Sequence, residues 1–134
     1  MELILSKELI EAIHKAGDII KADHRCIEMA KASEEYDNNA EIRALLDEYS
    51  TLQEALSAEY TKPELDDSVI KPMQDRMNEI FTKVTNDPAY VRLKEASELY
   101  SEMTDAVYEE LEFAITGKRR EKCTHDCSTC HGCD

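Results

Sequence analysis

The sequence predicts an all-α protein, and three observations support that prediction. Apolar residues recur at intervals of three and four along almost all of its 134 residues. Only three glycines and three prolines interrupt the chain, and these residues most often end helices. No segment alternates apolar and polar residues for long enough to form a strand. The long apolar rows favour an elongated antiparallel helical bundle that is completed by dimerisation, with a short irregular cysteine-rich tail at the C-terminus.

Two helices are predicted in the first third of the chain, on either side of Asp23. One face of the first helix is apolar and consists of Leu9, Ile10, Ile13, Gly17 and Ile20. Gly17 allows a bend or the close approach of a neighbouring helix. Asp23 suits the N-cap of the second helix, because its carboxylate can accept a hydrogen bond from a free backbone N–H. That helix ends near residues 37–39 and carries Cys26 on an apolar face, where a buried thiol acts as a small hydrophobe rather than a ligand.

Two further apolar rows predict a pair of helices on either side of Pro63. The third helix carries Ile42, Leu45, Leu46, Tyr49, Leu52, Leu56 and Tyr60. The fourth helix carries Val69, Ile70, Met73, Met77, Ile80, Phe81 and Val84. Because Pro72 lacks a backbone N–H and falls in the first turns, we expect the fourth helix to start near it or to kink there.

The last predicted helix follows a strong stop signal. Asn86 or Asp87 can cap a new helix, and Pro88 suits its first position. Gly117 suits the position just after its end. The apolar row between them is Leu93, Ala96, Leu99, Tyr100, Met103, Val107, Leu111, Ala114 and Ile115. A helix over residues 88–116 would be about 43 Å long, which is longer than a compact globule of this size needs.

The charge balance argues against two classes of partner. The formal net charge is −14, so electrostatics oppose direct binding to nucleic acid or to anionic lipid. No apolar run approaches the length of a membrane span or the core of a signal peptide, so we expect a cytoplasmic protein. Thiols stay reduced in the cytoplasm, and a cysteine cluster there predicts metal or redox chemistry before disulfides. No motif pairs a nucleophile with a base, so we expect no enzymatic activity.

Four of the five cysteines lie within the last twelve residues, at Cys123, Cys127, Cys130 and Cys133. The spacing C-x3-C-x2-C-x2-C resembles the loops that wrap an iron–sulfur cube. Zinc knuckles, in contrast, usually separate two C-x2-C pairs by a dozen or more residues. We predict that the four cysteines bind the cofactor and metal, with a [4Fe–4S] cluster favoured and Zn²⁺ as the alternative. His125 or His131 could replace one sulfur in a zinc site, and an oxidisable tail without metal is the competing interpretation.

A basic run separates the helices from this cysteine cluster and consists of Lys118, Arg119, Arg120 and Lys122. Its charges favour a solvated linker that complements the negative C-terminal end of the preceding helix. The alternative is a docking site for a partner. The chain therefore divides into a helical domain at residues 1–117 and a basic linker with a metal-binding tail at residues 118–134.

Three stretches of the chain share the layout of a known family. They are residues 20–36, residues 42–56 and residues 85–96, where an Asn-x-Pro break leads into a long amphipathic helix. This layout resembles the YlbF/YmcA family of small helical regulatory proteins over about residues 10–116. Several family members also end in a cysteine-rich tail.

The resemblance implies an all-α bundle that oligomerises with itself or with a paralogue. It also implies a regulatory role in a cytoplasmic complex that binds iron–sulfur clusters and steers the endoribonuclease RNase Y in mRNA processing. Through that complex, family members influence competence, sporulation and biofilm formation. Cysteine number varies across the family and clusters can be shared between subunits, whereas four thiols in one tail are enough for a self-contained site.

We therefore predict a non-catalytic regulatory adaptor that carries a metal centre and acts through protein–protein contacts. Two other classes stay open at this point. One is a structural zinc-binding helical protein, in which the ion only fixes the C-terminus. The other is a redox or metal-transfer module that passes its metal on.

Overall fold

The computed structural model describes residues 4–120, and over that range the chain forms five helices and no strand. The all-α prediction is confirmed. The helices are α1 (Lys7–Lys21), α2 (His24–Asp37), α3 (Ala40–Tyr60), α4 (Asp67–Asn86) and α5 (Pro88–Thr116). None of these helices has the length and apolar content required to cross a bilayer.

Polar side chains fix the start of the first four helices. Each accepts a hydrogen bond from a backbone N–H that has no partner inside the helix; these N-caps are Ser6, Asp23, Asn39 and Asp66. Asp23, which the sequence predicts as a cap, also accepts two hydrogen bonds of 2.9 Å from the Arg25 guanidinium. These bonds hold the pKa of the Asp23 carboxyl well below its usual range.

The fourth helix begins upstream of its proline. Asp67 is the first residue of α4, and Pro72 lies inside the helix rather than at its start. Of the two expectations for Pro72, a helix start near it is therefore wrong by more than one turn, and a kink at this residue stays a prediction. The physical reason is the Asp66 carboxylate, which accepts the Ser68 N–H at 3.0 Å and so nucleates the helix before the proline.

A single residue joins α4 to α5. The Asp87 N–H donates to the Val84 carbonyl at 3.1 Å, and the Asp87 carboxylate accepts the Ala89 N–H at 2.9 Å. Pro88 occupies the first position of α5. An N–H at this position has no partner inside a helix, so a proline costs no hydrogen bond there. The predicted stop and restart is confirmed, and Asp87 rather than Asn86 is the cap.

The hydrophobic core lies between α3 and α4 and includes the start of α5. Ile42 and Ile80 are fully buried, and Val84 and Ala89 are nearly so. Partly buried side chains surround these four residues: Tyr36, Leu45, Leu46, Tyr49, Leu52 and Tyr90. The core thus uses the rows that the sequence assigns to the third and fourth helices.

Contacts along α3 and α4 show that the two helices run antiparallel. Tyr60, at the end of α3, accepts a hydrogen bond of 2.8 Å from Gln74 near the start of α4. Ile42, at the start of α3, packs with Val84 near the end of α4. Partners therefore follow opposite directions along the two helices, as expected for neighbours joined by a short loop.

Contacts divide the described chain into two units, and the division falls within α5 between Tyr100 and Ser101. The first unit holds α1 to α4 and the beginning of α5. The second holds the rest of α5 and the described residues that follow it. The boundary at residues 117 and 118 that the sequence suggests stays a prediction.

Candidate functional site

The predicted metal ligands Cys123, Cys127, Cys130 and Cys133 lie outside residues 4–120, as do Lys122, His125 and His131. Their role as ligands stays a prediction. Within the described range, no group of three or more His, Cys, Asp or Glu side chains could hold a metal ion. Cys26 is a free thiol on α2 and is only half-buried, so it is less enclosed than its apolar position suggests.

Two arginines hold the segment that leads towards the cysteines against the end of α5. Arg119 donates to the Glu110 carboxylate at 2.6 Å, and Arg120 Nε lies 2.7 Å from Glu112 Oε2. The Arg119 guanidinium also lies 4.1 Å from the centre of the Phe113 ring, a cation–π contact. We call Arg119 and Arg120 with their two glutamates the arginine clasp.

Gly117 allows the chain to turn so that the clasp can form. Its φ angle of 70° is in the left-handed region, which a residue without a Cβ adopts at little cost. The chain leaves α5 at this residue and returns its arginines to the last turns of the helix. The prediction that Gly117 follows the helix end is confirmed.

The clasp supports one of the two interpretations of the basic run. Arg119 and Arg120 complement the acidic end of α5, as a linker of this kind should, and they do so through direct ion pairs as well as the helix dipole. The hydrogen bond that Arg119 donates to Glu110 lowers the pKa of Glu110 and raises the pKa of Arg119. Both arginines are thereby engaged by their own chain.

Acidic conditions should open the clasp at Arg119. The pKa of Glu110 in the folded chain lies below its ordinary value of 4.5, because Arg119 donates a hydrogen bond to its carboxylate. Such a carboxylate contributes stability above its unfolded pKa, and that stability is lost as the pH falls through the folded pKa. We therefore expect the side-chain N–H signals of Arg119 in an NMR titration to stay in place at pH 4.5 and to approach those of a solvated arginine only as the pH falls further, through the lowered pKa of Glu110.

Two variants isolate the carboxylate responsible. Glu110→Gln should give the open Arg119 signals already at neutral pH. Glu109→Gln should behave like the natural chain, since Glu109 exerts only a weak electrostatic effect on Arg119. Identical titrations of the natural chain and Glu110→Gln would show that Arg119 is not held by Glu110.

The carboxyl groups whose pKa values are shifted belong to ion pairs and helix caps. Glu48 accepts hydrogen bonds of 2.6 and 2.8 Å from Arg76, and these bonds lower the pKa of Glu48. Arg76 also contacts Glu79. The pKa of Glu79 is lowered mainly by its hydrogen bond with Lys83 and to a smaller extent by its hydrogen bond with Arg76. Across residues 4–120, every carboxyl group with a clear shift is shifted downwards. A carboxyl group prepared for general acid catalysis would be shifted upwards.

The apolar face of α1 has no cover among the described residues. No residue of this helix is buried, and Leu9 and Ile13 keep 46% and 51% of their surface exposed. The acidic residues of α1 lie on the other side of the helix, so its surface is strongly amphipathic. A helix with this pattern normally packs its apolar face against another element.

A second uncovered apolar surface lies on the last turns of α5. Tyr108, Leu111 and Ile115 are 70%, 54% and 77% exposed. They line a shallow groove together with Glu112, Thr116 and Arg120. Contiguous apolar surface of this kind is typical of protein–protein contact sites, and the groove reaches the arginine clasp.

Several residues at these sites are not evident from the sequence. The partners of the basic run lie upstream on α5. Glu110 is nine residues before Arg119, Glu112 is eight residues before Arg120, and Phe113 contacts Arg119 from near the end of the helix. No sequence motif marks these spacings. The ion pair of Glu35 with Arg92 joins residues far apart in the chain, and both residues line a groove together with Ala32, Ala96 and Leu99. The basic run and the apolar row of α5 are visible in the sequence, whereas the acidic partners of the arginines are not.

A family model described as "Control of competence regulator ComK, YlbF/YmcA" matches residues 9–116. The match spans nearly all of α1 and the whole of α2 to α5, so the resemblance inferred from the helical layout is confirmed. It ends at the last residue of α5 and leaves out the clasp arginines and the cysteines. Comparisons with curated proteins and with solved structures returned no match.

Proposed function

Because the chain belongs to the YlbF/YmcA family, we propose that it is a non-catalytic regulatory adaptor that presents a metal centre and works through protein contacts. The family description, control of a competence regulator, supports the regulatory role. One structural observation carries the adaptor role. The exposed groove at the end of α5 adjoins the clasp, from which the chain continues into the cysteine cluster.

The metal centre in this proposal is held by Cys123, Cys127, Cys130 and Cys133. Four thiolates form a soft donor set that suits a [4Fe–4S] cluster first and Zn²⁺ second. A centre with four thiolate ligands adds negative charge to a chain whose formal net charge is already −14. The basic run that precedes the first of these cysteines offsets part of that charge.

The proposed partners are proteins. They are another copy of this chain or a paralogue, and with them a cytoplasmic regulatory complex that steers RNase Y in mRNA processing. Family membership and the uncovered faces of α1 and α5 support this proposal. The net charge of −14 opposes direct contact with RNA, so an effect on mRNA would pass through the nuclease. Competence, sporulation and biofilm formation are the proposed outputs.

Loss or oxidation of the metal centre is the proposed signal. The tail and the α5 groove are linked by a short stretch of chain, and Arg120 belongs both to the clasp and to the groove lining. A change in the tail would therefore alter the surface that the end of α5 offers to a partner. Regulation in this scheme requires no reaction on the protein itself.

Co-purification under argon tests the adaptor role. We expect the tagged natural chain to retain RNase Y from its native cells, and Tyr108→Ser with Ile115→Ser to lose most of it, because the substitutions remove the groove's exposed apolar contacts. Phe81→Ser is the matched control, since Phe81 is an apolar residue of α4 with a similar exposure of 62%. Absence of RNase Y from the natural sample would contradict the proposed complex. Equal retention by all variants would contradict the groove as its docking site.

A further inference from the structure

The groove at the end of α5 already holds an ion pair of its own chain. Tyr108, Leu111 and Ile115 form its apolar wall, and the charged residues of its described lining are Glu112 and Arg120. Arg120 Nε lies 2.7 Å from Glu112 Oε2, and Arg120 Nη2 donates to Glu112 Oε1 at 3.3 Å. Glu112 lies four residues after Tyr108 and three before Ile115, so it shares their side of α5. The carboxylate with which the groove can hold a cation is therefore occupied by Arg120.

Arg120 reaches Glu112 because the chain reverses after the helix. Gly117, with its φ angle of 70°, lets residues 118–120 return along α5, and we call these three residues the strap. The side chains of Arg119 and Arg120, which hold the strap to the helix, are 58% and 75% exposed. Exposed ion pairs contribute little to stability and weaken as the salt concentration rises. The strap can therefore leave the helix at small cost.

A partner that fills the groove has to deal with this ion pair. An apolar segment that packs on Tyr108 and Ile115 takes water away from Glu112 and Arg120, and the cost of removing two charges from water can exceed their mutual attraction. If Arg120 leaves instead, the Glu112 carboxylate lies beside the partner without a counterion, which is also unfavourable. Both costs are avoided when the partner supplies a cation for Glu112. The groove therefore favours a segment that is both apolar and basic.

We propose that Arg120 inhibits docking in the groove by occupying the place of a basic side chain of the partner. The docking segment is then an amphipathic helix with apolar residues for the wall and a lysine or arginine for Glu112. When this helix binds, its cation replaces Arg120 and the strap swings away about Gly117. The inference rests on the proposed function, because it concerns the groove assigned there to the RNase Y complex. It adds the chemistry of the docking segment and a contact that regulates its access.

Two substitutions that break the same ion pair should differ in their effect on binding. The probe is a fluorescent amphipathic helical peptide of leucine and lysine, and its binding to the full chain is measured by fluorescence anisotropy. Arg120→Gln should lower the dissociation constant about threefold, because it removes the competitor and keeps the Glu112 carboxylate. Glu112→Gln should bring no gain, because it also removes the carboxylate that receives the lysine. An equal gain from both would show that the strap only blocks the groove, and no gain from Arg120→Gln would show that the strap does not inhibit; either result would overturn the proposal.

Charge-matched variants separate the ion pair from the general attraction of a basic peptide to an acidic chain. Lys94→Gln and Glu102→Gln make the same changes in net charge at exposed positions of α5 outside the groove, and their effects are subtracted. The gain from Arg120→Gln should vanish when Tyr108→Ser and Ile115→Ser are added. A gain that persists there would place the peptide elsewhere and overturn the proposal.

A second peptide, of leucine and glutamate, tests the sign of the charge. It should bind the natural chain more weakly than the lysine peptide and gain nothing specific from Arg120→Gln. Tighter binding of the glutamate peptide would show that Arg120 attracts an acidic partner, which contradicts the proposal. RNase Y retention is measured separately. A natural chain that retains no RNase Y but shows the expected peptide pattern would contradict the proposed complex alone, and the reverse result would contradict only the role of Arg120.

Discussion

Replacing Ile80 with alanine is expected to lower the free energy of unfolding by about 2–5 kcal/mol, the usual cost of truncating a buried isoleucine. Ile80 is fully buried in α4 and belongs to the core cluster with Ile42 and Val84. Removing the outer carbons of Ile80 loses the free energy gained when they leave water on folding. It also leaves a cavity among closely packed neighbours. Urea denaturation followed by far-ultraviolet circular dichroism measures the loss.

The neighbouring residue supplies a matched control. Phe81 is larger than Ile80 but 62% exposed on the same helix, so Phe81→Ala should change the free energy of unfolding by no more than about 0.5 kcal/mol. The two variants differ in burial and share their place in the chain. A loss of equal size in both would show that the core does not lie where α3 meets α4.

Replacing Cys127 and Cys130 with serine is expected to abolish metal binding while leaving the helical signal of the protein intact. Two of four thiolate ligands are lost, and a serine hydroxyl is a poor replacement for a soft donor. The helices should persist because their caps and core are formed by residues within the range 6–89. Iron, sulfide and zinc analyses of anaerobically isolated protein measure the first effect, and circular dichroism measures the second.

Cys26→Ser is the control for general loss of a thiol. Cys26 lies half-buried on α2, and its substitution should leave the metal content unchanged. Metal retained by the double variant would show that other groups bind it. Collapse of the helices in the double variant would favour the structural zinc protein, in which the ion holds the fold together.

The helices and their ends were predictable because they depend on chemistry within a few residues. Asp23 and Asp87 cap through hydrogen bonds to N–H groups two residues away, and Gly117 ends α5 through its own φ angle. Local interactions of this kind can be read directly from the order of residues. The start of α4 was misplaced because Pro72 is conspicuous and the Asp66 cap is not.

Contacts between distant residues were not predictable in the same way. Periodicity assigns an apolar face to α1 and to the end of α5, but it does not reveal that Leu9 and Ile115 stay exposed in the single chain. The clasp between Arg119 and Glu110 depends on a reversal of the chain after the helix, which no spacing rule encodes. For the candidate site, the sequence therefore supplied the basic run and the thiols, whereas the structure supplied the groove and the partners of the arginines.

Chemical analysis of the anaerobically isolated full chain tests the central claim, that the C-terminal thiols hold a metal centre on a helical adaptor. The account predicts a brown protein with broad absorbance near about 400 nm and about four iron and four sulfide ions per chain. One zinc ion per chain without colour would favour the structural zinc alternative. A fully helical protein that contains neither iron nor zinc would contradict the claim.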